Sequence, residues 1–290
     1  MIEYFFMFCM RLALPYLPNA IRDFLMWPVA SRIVKKWDRP VKCKDGFTMY
    51  IDPRDLLGRI IFFYGPIRTN LWEPQTVLLT KKLKPDGPIL VAGAHIGYIA
   101  LMLAQRSAVV YAYEPIPYLY DIARKNSELN RPHSFAISQF ALTDHMGTVF
   151  MREDTLRSQI ADSGTPVSGI TIDSFALLDR WALWLLDLEG HEEAALRGAE
   201  GTLKTNPPKD IIFEALGDNF VAAINYLAQF GYHFYFIDDD YNSDNIGQTR
   251  PLLLFNSRHE NKSKNVNIYA TLRSEAEVDG FQAPLASRHI

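Results

Sequence analysis

Pro88-Ile89-Leu90-Val91-Ala92-Gly93-Ala94-His95-Ile96-Gly97 reads as a short buried strand running directly into a glycine turn. Ile89 to Ala92 are apolar without alternation, as a strand covered on both faces requires. Gly93 lets the backbone turn tightly and lets a ligand approach the main chain. A helical pattern from Ile96 to Arg106 follows, so the free N–H groups of a helix start lie beside the turn. A second apolar run, Ala108 to Tyr113, ends in Glu114-Pro115-Ile116-Pro117. Glu114 stands 114 − 93 = 21 residues beyond the first glycine. At that separation, a carboxylate closing the second strand of a doubly wound sheet accepts hydrogen bonds from the hydroxyls of a ribose.

The same alternation continues outward. Pro117 to Asn130 reads as a helix and Ser134 to Leu142 as a third strand. Trp181 to Leu188 is a fourth strand, followed by a helix from Glu192 to Lys204. Ile211 to Ala215 is a fifth strand, with a helix from Asn219 to Phe230 after it. His233 to Asp238 and Val266 to Leu272 close the series. Strands alternating with helices predict a parallel sheet covered on both faces. Residues 247–264 read as loop and irregular chain, so the final strand is expected to be antiparallel. Upstream, Val41 to Asp52 suggests a hairpin turning at Lys44-Asp45-Gly46, and Arg54 to Leu83 a helical approach. Residues 1–40 look helical, broken by Pro15, Pro18, Pro28 and Pro40. The expected division is an N-terminal helical extension over 1–45, a main domain over 46–275 and a tail over 276–290.

Composition narrows the function classes. The chain has 290 residues, 48% hydrophobic and 22% charged, which suits a folded core rather than a disordered chain. A net charge of -3 argues against a dedicated nucleic-acid binder, which needs a basic face. Cys9 and Cys43 form no C-x-x-C, excluding zinc knuckles and thioredoxin chemistry. Two reduced thiols suit a cytoplasmic protein. Met1 to Met10 is too short to span a bilayer, which takes ~20 residues. Residues 1–36 mix apolar side chains with Arg11, Arg22, Arg32, Lys35 and Lys36. That mixture fits an interfacial helix making peripheral membrane contact, an ordinary helix packed on the domain, or a contact within a homo-oligomer.

Glycine spacing separates the cofactor classes. A dinucleotide fingerprint requires G-x-G-x-x-G, whereas only Gly93 and Gly97 are present here. Side chains at Ala94 and His95 would crowd a pyrophosphate. A ligand with one ribose and no phosphate fits better, which describes S-adenosylmethionine. A nicotinamide-dependent oxidoreductase is the competing reading that the missing middle glycine disfavours.

Several motifs, in order, resemble the FkbM-type methyltransferase family. ILVAGAHIGY (89–98) resembles its D-x-G-A-N-x-G-Y loop, and YEPIP (113–117) its F-E-P-x-P. FALTD (140–144) is similar to its N-x-A-x-S-D segment before a glycine, here Gly147. TIDSF (171–175) resembles its T-L-D strand, and LLDLEGHEEAALRGAE (185–200) its D-x-E-G-x-E signature. IIFE (211–214) resembles its fifth strand, and YGPIRTNLWEP (64–74) its approach to the first. The resemblance implies an α/β class I methyltransferase, a Rossmann-like doubly wound sheet of seven strands with the last antiparallel. It also implies methyl transfer from S-adenosylmethionine to a hydroxyl of a sugar, glycolipid or natural product. Two positions depart from the pattern: the loop's aspartate is Val91 and its asparagine is His95.

The expected cofactor-binding residues are Gly93, Ala94, His95, Gly97, Glu114, Pro115, Ala141, Asp187 and Glu73. An alcohol acceptor must also lose a proton, and a positioned base contributes ~10²–10⁴-fold. Asp187, Glu189 and His191 cluster at the end of the fourth strand and are the expected catalytic residues. His191 suits a base near neutral pH. Asp187 could orient the acceptor hydroxyl or the cofactor amine. Glu189 could accept from a substrate hydroxyl or cap the next helix. Asp144 reads either as a residue at the cofactor's rim or as a turn residue. No dedicated metal spacing is present and no resident metal is expected, although Asp187, Glu189 and Glu214 offer oxygen ligands suited to magnesium. The alternative to an active enzyme is a weakened or non-catalytic member of the fold serving as a partner in a biosynthetic pathway.

Overall fold

The computed structural model describes residues 38–52, 55–66, 68–106, 109–131, 133, 135–153, 158–175, 181–214, 220–238, 252, 254–255 and 266–281, together with Cys9, Ala13 and Leu17. Most of the expected N-terminal extension, much of 247–264 and residues 282–290 therefore lie outside the described residues. Among those described, no helix is long and apolar enough to cross a membrane.

β3 (Ile89–Ala92) is the buried centre of the main sheet. Its side chains alternate between two cores. Ile89 and Val91 face one, and Leu90 and Ala92 the other. β10 (Leu183–Leu186) runs parallel beside it in matching register, Leu183 opposite Ile89 and Leu186 opposite Ala92. Leu183 and Leu185 therefore join the first core, and Trp184 and Leu186 the second. On the other flank, β4 (Val110–Tyr113) pairs in parallel with β3 and then with β5 (Ala136–Ser138). β11 (Asp210–Glu214) extends the parallel set beyond β10.

The final strand, β14 (Val266–Thr271), is antiparallel and sits between β11 and β12 (His233–Asp238). These seven strands form the doubly wound sheet expected from the sequence. Side-chain chemistry explains where β14 docks. Asp210, 1% exposed, accepts hydrogen bonds from Tyr269 Oη (2.7 Å), Thr271 Oγ1 (2.8 Å), and Arg273 Nε and Nη2 (2.9 and 2.8 Å). Tyr269 and Thr271 share one face of the strand, and Arg273, two residues past its end, reaches the same buried carboxylate.

Several local expectations are corrected. The third strand divides: β5 stays in the main sheet, while β6 (Ala141–Leu142) joins a separate sheet with β9 (Thr165–Ile170), β7 (Gly147–Glu153) and β8 (Ser158–Ala161). That small sheet was not expected, because its three longer strands bury few hydrophobic residues (Val149, Met151, Val167) and are interrupted by glycine, proline and hydroxyl residues. Thr171 to Phe175, expected as strand, is a 3-10 turn over Ile172–Ser174 capped by the Thr171 hydroxyl. The helix expected over 192–204 is two, α5 (Glu192–Arg197) and α6 (Glu200–Thr205). They break at Gly198, where a Cβ would overlap the carbonyl of Thr143. The helical approach is also two helices, α1 (Leu56–Tyr64) and α2 (Pro74–Leu83). Within the expected irregular segment, β13 (Leu254–Phe255) pairs with the outer edge of β12.

A hairpin of β1 (Val41–Lys42) and β2 (Thr48–Met49) packs on the same core as β3 through Val41, Cys43, Phe47 and Met49. The chain ends its described part in α7 (Glu275–Asp279), opened by a Ser274–Glu277 capping box and anchored by buried Val278.

Candidate active site

The carboxyl ends of β3, β4, β10 and β11 lie side by side, so the residues that follow them form one rim. After β3 the chain turns at Gly93 (φ 76°), whose missing Cβ leaves room for the carbonyl of Asp187. The amides of Gly93 and Ala94 both donate to Tyr113 O at 2.9 Å. Gly97 (φ 87°) closes the turn, because a Cβ there would stand 2.6 Å from Phe135 Cζ. Tyr98 opens α3 (Tyr98–Ala104). Between the glycines, His95 takes the left-handed conformation (φ 51°).

Glu114 meets this loop directly. It is 5% exposed, and its Oε2 accepts from the His95 amide at 2.7 Å. Its Oε1 accepts from the Ile116 amide at 3.0 Å. Burial raises the Glu114 carboxyl, while these donors and His95 pull it back down. A carboxylate has about four lone-pair positions, so two bonds leave acceptor capacity for ribose hydroxyls. Pro115 carries the chain to α4 (Pro117–Leu129). From the far side, buried Asn126 of that helix donates Nδ2 to Ile96 O (2.8 Å) and Tyr50 O (2.9 Å) and accepts from Tyr50 N–H (2.6 Å). Asn126 thereby ties the loop to the hairpin.

The end of β10 is chemically different. Carboxylate oxygens of Asp187, Glu189 and Glu214 lie within 4.8 Å of one another. Asp187 keeps solvent access, yet protein surrounds it, as at the bottom of a recess. That recess and then the charges of Glu214, Glu73, Glu189 and Glu192 raise its carboxyl well above the usual range. Such a group of oxygens could hold a divalent cation or face an organic one. Glu73 reaches this neighbourhood because the approach segment is pinned. Tyr98 Oη accepts from the Leu71 amide at 2.9 Å and donates to Asp45 at 2.8 Å.

His191 is the N-cap of α5, and its Nδ1 is buried without a hydrogen bond. Burial lowers its pKa, with Asp144 pulling the other way, so the ring is neutral at neutral pH. Asp144 itself is exposed, and its contacts with His145 (2.6 Å) and Thr143 (3.2 Å) lower its carboxyl. Ala141 is buried in β6.

Residues 92–234 match the family model described as the methyltransferase FkbM domain. This segment is an FkbM methyltransferase domain. A search among curated proteins returns no match. Among solved structures, the chain is similar to the precorrin-6y C5,15-methyltransferase from Geobacter metallireducens GS-15, at 15% identity over 70% of this chain and 87% of that one, with a TM-score of 0.42. It is also similar to a magnesium protoporphyrin IX methyltransferase from Synechocystis PCC 6803, at 12% identity over 69% and 76% of the chains and a TM-score of 0.40. An O-methyltransferase from Bacillus cereus gives 14% identity over 69% and 80%, with a TM-score of 0.38. Likenesses this distant add nothing to the assignment, which rests on the family match and the strand order.

The FkbM domain thus places the expected residues in two adjoining groups. Gly93, Ala94, His95, Gly97, Glu114 and Pro115 form the first. Asp187, Glu189, Glu73 and Glu214 form the second, with His191 opening the helix just beyond. Glu189 takes the left-handed conformation (φ 52°), and the N-cap of α5 is His191, whose side chain makes no capping hydrogen bond. The turn before α5 is held by Glu192, which the sequence reading missed. Its Oε1 accepts from the Leu188 and Gly190 amides at 2.9 and 3.3 Å, and burial pushes its carboxyl up to about 7. The signal available in the sequence was a glutamate in the first turn of a helix just after a glycine. Val91, at the family's aspartate position, is 4% exposed and belongs to the core.

Proposed function

We propose that the FkbM domain binds S-adenosylmethionine at this rim and methylates a hydroxyl of a sugar, glycolipid or natural-product acceptor. The observation that carries the reading is the pairing of Glu114 with the His95 amide beside two positive-φ glycines. The donor set fits the cofactor. Glu114 offers oxygens for two ribose hydroxyls, and the recessed carboxylates around Asp187 suit a ligand carrying an ammonium and a sulfonium. When bound, the cofactor supplies an electrophilic methyl group.

The chain's own residues do the remainder. Gly93 and Gly97 let the backbone approach the ligand without side-chain obstruction. Asp187 faces positive charge and orients it. Glu189 accepts from the acceptor's hydroxyls. His191, neutral through burial, takes the proton that the acceptor oxygen loses on methylation. Fixed placement of donor and acceptor supplies a large part of any rate gain. Residues 1–36, with their apolar and basic side chains, would bring the enzyme to a membrane surface if the acceptor is a glycolipid, and liposome flotation with and without them tests this.

Calorimetry with S-adenosylmethionine and S-adenosylhomocysteine tests the binding step. Absence of heat at millimolar cofactor sinks the reading and favours the non-catalytic alternative, which Val91 motivates. Transfer of labelled methyl groups to a panel of sugars, glycolipids and polyketide-type alcohols tests the acceptor class. Transfer confined to amines or thiols would overturn the hydroxyl assignment.

A further inference from the structure

His95 belongs to the cofactor loop, but its side chain leaves that loop. Its Nε2 lies 3.3 Å from Asp55 Oδ2, with the two side chains 35% and 24% exposed. Asp55 is the N-cap of α1, where its Oδ1 accepts from the Gly58 amide. One oxygen of the carboxylate therefore serves the helix, and the other faces the imidazole. Among the described residues, neither His95 Nδ1 nor Asp55 Oδ2 makes a hydrogen bond, so the 3.3 Å approach of Nε2 to Oδ2 is an ion-pair contact rather than a directed hydrogen bond. Among the described residues, that contact is the polar interaction of the ring's nitrogens.

Backbone geometry gives that orientation a consequence. His95 holds φ at 51°, a left-handed conformation uncommon outside glycine. In that conformation its amide points at Glu114 Oε2, 2.7 Å away. A ring tethered to Asp55 favours the loop conformation that supplies this amide. Burial raises the Asp55 carboxyl and the charge of His95 lowers it, with Gly58, Asp52 and Arg59 as further contributors, so the two groups interact.

We propose that Asp55 is a positioning residue for the cofactor loop: by holding the His95 ring from the start of α1, it holds the His95 amide against Glu114. Asp55 touches no reacting atom and acts through His95. The proposal rests on the cofactor reading above, so its test has one readout that needs no cofactor.

Asp55→Ser keeps a side chain able to cap α1 and removes the carboxylate facing His95. Asn is well tolerated at positive φ, so His95→Asn keeps the loop while removing the imidazole. In histidine-selective NMR without cofactor, D55S should shift the His95 ring signals. Unchanged signals would overturn the pairing. By calorimetry, D55S should weaken S-adenosylhomocysteine binding by about three- to fivefold, with little change in thermal midpoint. In the H95N background, the same D55S change should add nothing. An equal loss in both backgrounds would show that Asp55 acts only through α1, and would overturn the positioning role. If the unmodified chain binds no S-adenosylhomocysteine, the cofactor reading and this role fail together, while the NMR result still decides whether the pair exists.

Discussion

Glu114 and Asp187 follow the two strands that flank β3, and their surroundings are opposite. Glu114 is 5% exposed and receives two backbone N–H groups. Asp187 keeps solvent access from within its recess and faces four other carboxylates. The first is a cradle already assembled by the fold. The second is a charge cluster whose repulsion is relieved when a cation arrives. One sheet edge thereby offers acceptors for neutral hydroxyls on one side and negative potential on the other.

Replacing Glu114 should have the largest effect. Glu114→Ala removes two charge-assisted bonds to the loop and, on the proposed reading, the acceptor for the ribose, each worth ~1.5–3 kcal/mol. S-adenosylhomocysteine affinity should fall by about 100-fold or more in calorimetry. A loss below threefold would reduce Glu114 to a structural residue and break the comparison.

Glu192 adds a pH dependence to the charged side. Its carboxyl stands near 7 against an ordinary 4.5, chiefly through burial. Between those values the unfolded chain releases the proton while the folded chain keeps it. Stability therefore falls as pH rises through that window, by on the order of 3 kcal/mol. Glu192→Gln should reduce the slope between urea midpoints at pH 5 and 7.5, leaving the part due to the other raised carboxyls, and should be the more stable protein at the higher pH. Equal slopes would mean that Glu192 ionises normally.

Support behind the cradle comes next. Asn126→Ala leaves the carbonyls of Ile96 and Tyr50 and the Tyr50 amide without this partner. Urea unfolding should show a loss of about 2 kcal/mol. A change within 0.5 kcal/mol, the ordinary range for a surface substitution, would mean that the hairpin does not brace the loop.

The smallest stability effect sharpens the comparison most. Asp187→Asn removes one charge from a repelling group with solvent access. Its thermal midpoint should rise by about 2 °C, while S-adenosylmethionine affinity falls by about tenfold, roughly one charge interaction. A fall in both quantities would show that the charge is already balanced within the chain.

Much of the main sheet was legible because its strands are buried on both faces. Ile89 to Ala92 and Leu183 to Leu186 have no alternation, and a glycine or an acid marks each end. The small sheet over 141–170 was not legible, since its half-exposed strands lack that density. Within the site, Gly93, Glu114 and Asp187 stood out through residue type and spacing. Asp55, Asn126 and Glu192 did not. Each acts through one contact with a segment that only folding brings near, or through burial that no local pattern records.

Order along the chain was enough to determine the strand–helix alternation, the glycine turn after β3, and the acid 21 residues beyond it. Those are local properties, set by side-chain burial and backbone freedom within a few residues. Tertiary structure decided that β14 docks between β11 and β12, that Glu192 accepts from the turn before α5, and that His95 turns toward Asp55. Each of these depends on groups far apart in sequence meeting at hydrogen-bond or ion-pair distance, and on burial making that meeting strong.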